Sequence, residues 1–211
     1  MNEKIFIEKI KEYDFWYQKY KNIYISELMA IKEVLYPLPV RNSLEVGCGS
    51  GRFTSFFKID VGIDLNLKFY EEFRGRFKYY VVADGKRLPF KRDTFFFLFS
   101  ITTICFMKEV QEFLREAHRV LKNDSYFIIA FLNRDSEYGK DILSRKEENN
   151  FLKFANLFSS KEVIEMVEKV GFKFEASFQT IFENLEEKTI PPVQKGHDRG
   201  GFIAMRFRKI I

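Results

Sequence analysis

The run Leu44-Glu45-Val46-Gly47-Cys48-Gly49-Ser50-Gly51-Arg52-Phe53 constrains this chain more than any other. An apolar strand enters a turn with glycine at alternate positions, and the residues after it suit a helix. Glycine is required where the backbone takes a positive φ or lies against a ligand with no Cβ between them. Amides at the start of the following helix can meet polar groups of that ligand.

The pattern around this turn is that of an α/β protein. From Ile5 to Leu35 apolar and aromatic residues, among them Phe6, Ile10, Tyr13, Trp16, Tyr17, Tyr20, Leu28, Ile31 and Leu35, recur at three- and four-residue spacing. That is helical periodicity, ended by Pro37 and Pro39. Short apolar strands then alternate with amphipathic segments: Ser43 to Val46, Val61 to Ile63, Tyr79 to Ala83, Phe95 to Ile101 and Tyr126 to Phe131. Helices are expected over Val110 to Leu121 and Ser160 to Lys169, the latter closed by Gly171. Asn133 to Asn150 reads as polar, exposed and partly helical. Two last strands, Phe172 to Phe182 and Gly201 to Arg208, flank a long connection. Continuous apolar strands between helices imply a parallel sheet covered on both faces, with ligands at the strands' carboxyl ends.

With 211 residues, 46% of them hydrophobic, the chain fits one domain, with residues 1–39 as a helical leader and 40–211 as the core. No apolar run approaches the ~20 residues that cross a bilayer, and the start does not read as a signal peptide, so a soluble cytoplasmic protein is expected. Cys48 and Cys105 form no CxxC pair, and His118 and His197 are the only histidines. Neither a disulfide framework nor a metal site is expected. The net charge of +5 is dispersed along the chain, which points away from nucleic acid.

Three strand ends carry the chemistry. At the first, Gly47, Gly49 and Gly51 admit a ligand, and Glu45 could hold the loop or reach the ligand's amino group through water. At the second, Asp64 is placed to accept both hydroxyls of a ribose. At the third, Asp84 offers a carboxylate to an exocyclic amine, and Gly85 leaves room for a flat base. Singly, each has an ordinary account as a turn or a helix cap. In order, each at the end of an expected strand, they point to a ligand containing a nucleoside.

The chain resembles the class I S-adenosylmethionine-dependent methyltransferases, in the small single-domain type. The match runs from about Ser43 to Phe131 and includes the glycine run, Gly62-Ile63-Asp64, Asp84-Gly85 with Leu88-Pro89-Phe90, and Phe113 to Lys122. The resemblance implies a Rossmann-like sheet of seven strands, mostly parallel with an antiparallel final strand, helices on both faces and an N-terminal helical lid. It implies S-adenosylmethionine as cofactor and S-adenosylhomocysteine as product. Gly47 and its neighbours would line the methionine end, Asp64 would hold the ribose and Asp84 meet the adenine amine, with Glu45, Cys48, Gly49, Gly51, Leu65, Gly85 and Ile101 also expected to bind the cofactor. Tyr13 and Trp16 would come from the lid.

The chain departs from that pattern in Thr94-Phe95-Phe96-Phe97, where an Asp commonly opens the fourth strand, and in Thr102-Thr103-Ile104-Cys105-Phe106, where a histidine is frequent. Lys122-Asn123-Asp124-Ser125 replaces a Lys-Pro-Gly-Gly turn. Methyl transfer needs alignment and exclusion of water more than a fixed base. Catalytic residues are therefore unassigned, with Thr102, Thr103, Cys105, Asn133, Arg134, Asp135, His197 and Arg199 as acceptor-side candidates. The expected acceptor is a small molecule. The alternatives are a cofactor-binding regulatory module without turnover and a protein or RNA methyltransferase. A nicotinamide oxidoreductase would want glycine where Arg52 stands. His118 is expected to be structural.

Overall fold

The computed structural model describes residues 8–148, 151–183 and 189–210. Phe6 with the first turn expected of the leader, and residues 149 and 150 of the polar stretch, lie outside the described residues.

Two leader helices precede the sheet. Helix α1 (Ile10–Lys19) buries Ile10, Asp14 and Tyr17, and α2 (Lys21–Leu35) buries a stripe that includes Ile23, Glu27, Ile31 and Val34. The chain leaves the helical region at Tyr36, whose ψ of 135° is the extended conformation favoured before a proline.

Strands β1 (Ser43–Val46), β2 (Val61–Asp64), β3 (Tyr79–Val82), β4 (Phe95–Ile101) and β5 (Leu121–Leu132) are mutually parallel. Strand β8 (Phe202–Lys209) runs antiparallel to both β5 and β6 (Phe172–Thr180), so β6 is parallel to the first five. The order is β3-β2-β1-β4-β5-β8-β6-β7. The eighth strand, beyond the seven expected, is β7, the pair Gln194–Lys195 on the edge of β6, too short to leave a periodic signal. Strand β5 also starts earlier than the Tyr126 expected, because Leu121 pairs with Phe95 across a register shift that the turn at Asp124 (φ 58°) absorbs.

Each face of the sheet has its own core. On one, α2 and Phe53 of α3 (Arg52–Phe56) pack with Phe97, Phe99, Ala130 and Ala204. On the other, α5 (Val110–Val120) and α7 (Ser160–Glu168) pack with Leu44, Leu98, Phe127 and Met205. Fully buried rings such as Phe99, Phe113 and Phe127 each contribute about 1.5–3 kcal/mol through burial alone. Helix α4 (Leu67–Phe73) follows β2, and α6 (Glu137–Ser144) follows β5. His118 is structural as expected: its ring stands edge-on to Phe172 and fills the place a Cβ at Gly171 would take.

Strand order reverses between β1 and its neighbours β2 and β4, so the loops leaving β1 and β4 diverge to opposite faces. A crevice opens there, at the carboxyl ends.

Candidate active site

That crevice is a cleft of about 290 Å³, lined from four strand ends. Gly47 and Gly49 follow β1, Asp64, Leu65 and Asn66 follow β2, Asp84, Gly85 and Lys86 follow β3, and Ile101, Thr102 and Thr103 close β4. The first two glycines are needed for conformation: φ is 76° at Gly47 and 50° at Gly49. At Gly47 a Cβ would fall 2.1 Å from Thr103 Cγ2. Thr103 is held there by donating to the Gly47 and Ile101 carbonyls, so it locks the glycine turn to the end of β4.

Asp64 is pre-positioned by backbone. One carboxylate oxygen accepts from the Gly49 amide and the other from the Asn66 amide, both at 3.0 Å. Asp84 accepts from the Lys86 amide at 2.9 Å and stays half-exposed toward the cleft. Gly85 has a different reason from the one expected: its missing Cβ makes room for Val46, 2.8 Å from where that atom would stand.

The leader covers the cleft. The Tyr13 ring lies 3.6 Å from where a Gly49 Cβ would be, and packs edge-on to Phe69 and Phe151. An ion cluster fixes this cover. Asp14 accepts from Arg52 Nε at 2.7 Å and from Arg76 Nη1 at 2.5 Å, and Arg76 also donates to the Ser50 carbonyl. Burial opposes ionisation of Asp14, but the two guanidiniums outweigh it and hold its carboxyl at about 2. Arg52, which stands where a dinucleotide fold wants glycine, therefore bolts the leader to the glycine turn. The sequence signal was present, a lone acid on the buried stripe of α1 and two arginines flanking ligand loops, but pairing across the sequence is invisible without the fold.

Behind Tyr13 lies a second compartment of about 360 Å³, sharing Tyr13, Thr102 and Phe106 with the cleft. Its other walls are leader rings with Glu27, and Tyr138, Asp141 and Arg145 of the α6 region. Thr102 stands between the two spaces with φ 50°, an uncommon conformation for a β-branched residue.

Several expected residues are elsewhere. Glu45 is buried behind β1, accepts from the Thr54 hydroxyl, and has its carboxyl pushed up to about 8 by burial. It lines neither space. Cys48 turns into the core against Gly62, and Gly51 serves the backbone, with φ 75° and no room for a Cβ beside Phe77. Trp16 belongs to the second compartment rather than the cleft. Of the acceptor-side candidates, Thr102 and Cys105 line that compartment and Thr103 lines the cleft. Burial pushes the Cys105 thiol up to about 12 and it donates to the Thr102 carbonyl, which leaves it no nucleophilic role. Asn133, Asp135 and His197 line a separate recess with Ser160, and Arg134 and Arg199 line neither compartment. Asn133 is a loop tie, donating to the Gly200 carbonyl and accepting from the Asp135 amide.

Residues 44–129 match the protein family described as a methyltransferase domain. A SAM-dependent methyltransferase from Thermotoga maritima, described as a possible histamine N-methyltransferase, superposes with a TM-score of 0.89 at 33% identity, over 97% of this chain and 98% of that one. The chain belongs to the S-adenosylmethionine-dependent methyltransferases. An uncharacterised protein of Methanocaldococcus jannaschii is 36% identical across 98% of this chain and 99% of its own length. A SAM-dependent methyltransferase from Methanosarcina mazei, at 16% identity and a TM-score of 0.61 over 84% of this chain and 99% of that one, shows the fold alone.

S-adenosylmethionine is thus the methyl donor, and the residues present fit it. This methyltransferase offers a bare glycine cradle, a carboxylate fixed by two amides at the second strand end and another carboxylate at the third. Sequence reasoning missed Asn66, Phe69, Lys86, Phe106 and Met107 of the cleft, which sit beyond the strand ends on loops and on α4. It also missed Glu27, although an acid spaced four residues from both Ile23 and Ile31 on a buried stripe is a readable anomaly.

Proposed function

We propose that this methyltransferase acts on a small molecule seated in the second compartment. The adjoining of that compartment to the cofactor cleft through Tyr13, Thr102 and Phe106 is the observation that carries the reading. A ligand in each space would meet at that shared wall. When bound, S-adenosylmethionine supplies a methyl carbon on a cationic sulfur, an electrophile that asks mainly for an aligned nucleophile.

The chain's residues have the following roles in this reading. Asp64 holds the ribose hydroxyls, because its carboxylate already has a fixed orientation. Asp84 meets the adenine amine, with Ile101 and Met107 against the ring. Gly47 and Gly49 let the methionine end lie on backbone. Tyr13, tied down through Asp14, and Phe106 keep water from the wall between the spaces, which is worth several kcal/mol to a charged electrophile meeting a neutral nucleophile. The enclosed, ring-lined second space suits a small molecule.

Isothermal titration with S-adenosylhomocysteine tests the first half. Asp64→Ala should weaken binding by about tenfold or more, or ~1.4 kcal/mol, through loss of charge-assisted hydrogen bonds. Unchanged affinity would remove Asp64 from the site.

A further inference from the structure

We propose that the second compartment is an amine site, taking as acceptor a small alkyl or arylalkyl amine gripped by the Glu27 carboxyl among aromatic rings. This deepens the methyltransferase reading and rests on it for the fate of the amine.

Glu27 is the anomaly that carries the inference. It is 3% exposed, lies on the buried stripe of α2, and opens only into the compartment. Its carboxyl makes no hydrogen bond or ion pair with any described residue. An unpartnered buried carboxyl is costly, and an apolar residue would serve the core better. Of the hydroxyls facing it, those of Tyr24 and Tyr17 are engaged elsewhere and that of Tyr138 makes no hydrogen bond to it. Tyr24 donates to the Arg52 carbonyl, and the Tyr17 hydroxyl pairs with that of Tyr13. The group is therefore left for something that arrives from outside the chain.

What the compartment fits is a cation. Trp16, Tyr20, Tyr138 and Phe151 present rings on which an ammonium or its alkyl stem can rest. Its carboxyls are Glu27, Asp141 and Glu148, against one guanidinium, Arg145, which is already paired with Asp141. An anionic ligand would find no free positive partner there, and of the other ligands an ammonium alone matches the charge of the ionised Glu27 carboxylate.

The proton balance follows. Burial pushes the Glu27 carboxyl up to about 8, while alkylamines ionise near the lysine range, ~10. Amine and carboxyl share one proton in the complex. When it passes from nitrogen to a Glu27 oxygen, the nitrogen keeps the electron pair; as that pair forms the N–C bond the S–C bond would break with its electrons going to sulfur, the product would leave as the N-methylammonium, and the Glu27 proton returns to water. Below pH 8 the protonated Glu27 must first lose its own proton to accept an ammonium. Affinity should therefore rise by about tenfold per pH unit from 6 to 8 and then level off. Of the groups facing Glu27, Tyr17, Tyr24, Tyr138 and Arg145 do not share this window. Tyr17, Tyr24 and Tyr138 are raised by burial and stay neutral, Arg145 stays charged through Asp141, and the Asp141 and Glu148 carboxyls are the others present.

Trp16, the single tryptophan of the chain, lines the compartment and reports binding by its fluorescence. With S-adenosylhomocysteine present, 2-phenylethylamine, 3-phenylpropylamine and n-hexylamine are titrated against their matched alcohols. At least one amine should bind about tenfold or more tightly than its alcohol, with the stated pH profile. Glu27→Gln should lose the preference and the profile while still binding S-adenosylhomocysteine by calorimetry. Alcohols binding as well as amines, no probe binding, or an amine preference retained in Glu27→Gln would overturn the proposal. If the variant does not fold, the amine-to-alcohol ratio and the pH profile of the unaltered protein decide. Failure of the unaltered protein to bind S-adenosylhomocysteine would instead contradict the methyltransferase reading.

Discussion

The cofactor cleft is walled by backbone and strand ends, whereas the compartment beside it is walled by side chains of the leader and the α6 region. In the cleft, glycine conformations and amide-anchored carboxylates fix the geometry before any ligand binds. In the compartment, rings and one unpartnered acid set the character, and any of them could change without disturbing the sheet. One space is thus shaped by main chain and the other by side chains carried on the leader and the α6 region.

The sharpest way to break this contrast is to damage the cleft's backbone. Gly47→Ala places a methyl on Thr103 and strains a left-handed residue, at about 4 kcal/mol of stability when both costs are counted. S-adenosylhomocysteine affinity should fall at least ~100-fold, measured by calorimetry alongside thermal unfolding. Near-normal binding would mean that the cradle is not where the ligand lies.

The cover can be loosened separately. Asp14→Ala leaves Arg52 and Arg76 facing each other without their anion. The loss should be about 3 kcal/mol, at the low end for a buried pair because both guanidiniums keep some water. Because the Asp14 carboxyl is held at about 2, well below its ordinary 3.8, its contribution is complete above pH 4 and disappears as pH falls toward 2. Unfolding midpoints of the variant and the unaltered protein should therefore converge in acid. A gap that persists at pH 2 would assign the effect to packing.

A pH-dependent effect tests the contrast from the other side. Glu27 ionises near 4.5 when unfolded and at about 8 when folded, so the folded protein holds an extra proton between those values. Its contribution to stability then declines as pH rises from 4.5 to 8 and is constant above. Glu27→Gln removes that decline, so it should gain stability relative to the parent as pH rises from 4.5 to 8 and hold the gain above, with no advantage at pH 4. A variant destabilised at both pH values would show that Glu27 has a partner within the fold.

The same contrast explains what could be read from the chain. All strands but β7, both core faces, the glycine turn, Asp64 and Asp84 follow from local rules, because period, turn chemistry and strand-end position are written within a few residues of each other. Trp16 and Glu45 were misplaced because a face is set by tertiary packing: Trp16 turns toward Tyr20 and the second space, and Glu45 toward Thr54. His197 lies on the α7 side, bonded through its Nδ1 to Ser177, which no spacing in the final loop could announce. The Asp14 cluster joins residues 38 and 62 positions apart, so neither arginine carries a local mark of its role.

The structure of the complex with S-adenosylhomocysteine decides where the cofactor lies. Ribose hydroxyls are expected on Asp64, adenine beside Asp84 and Ile101, and the sulfur facing the wall formed by Tyr13, Thr102 and Phe106. A nucleoside bound among the rings of the second compartment, with the glycine cradle empty, would contradict this placement.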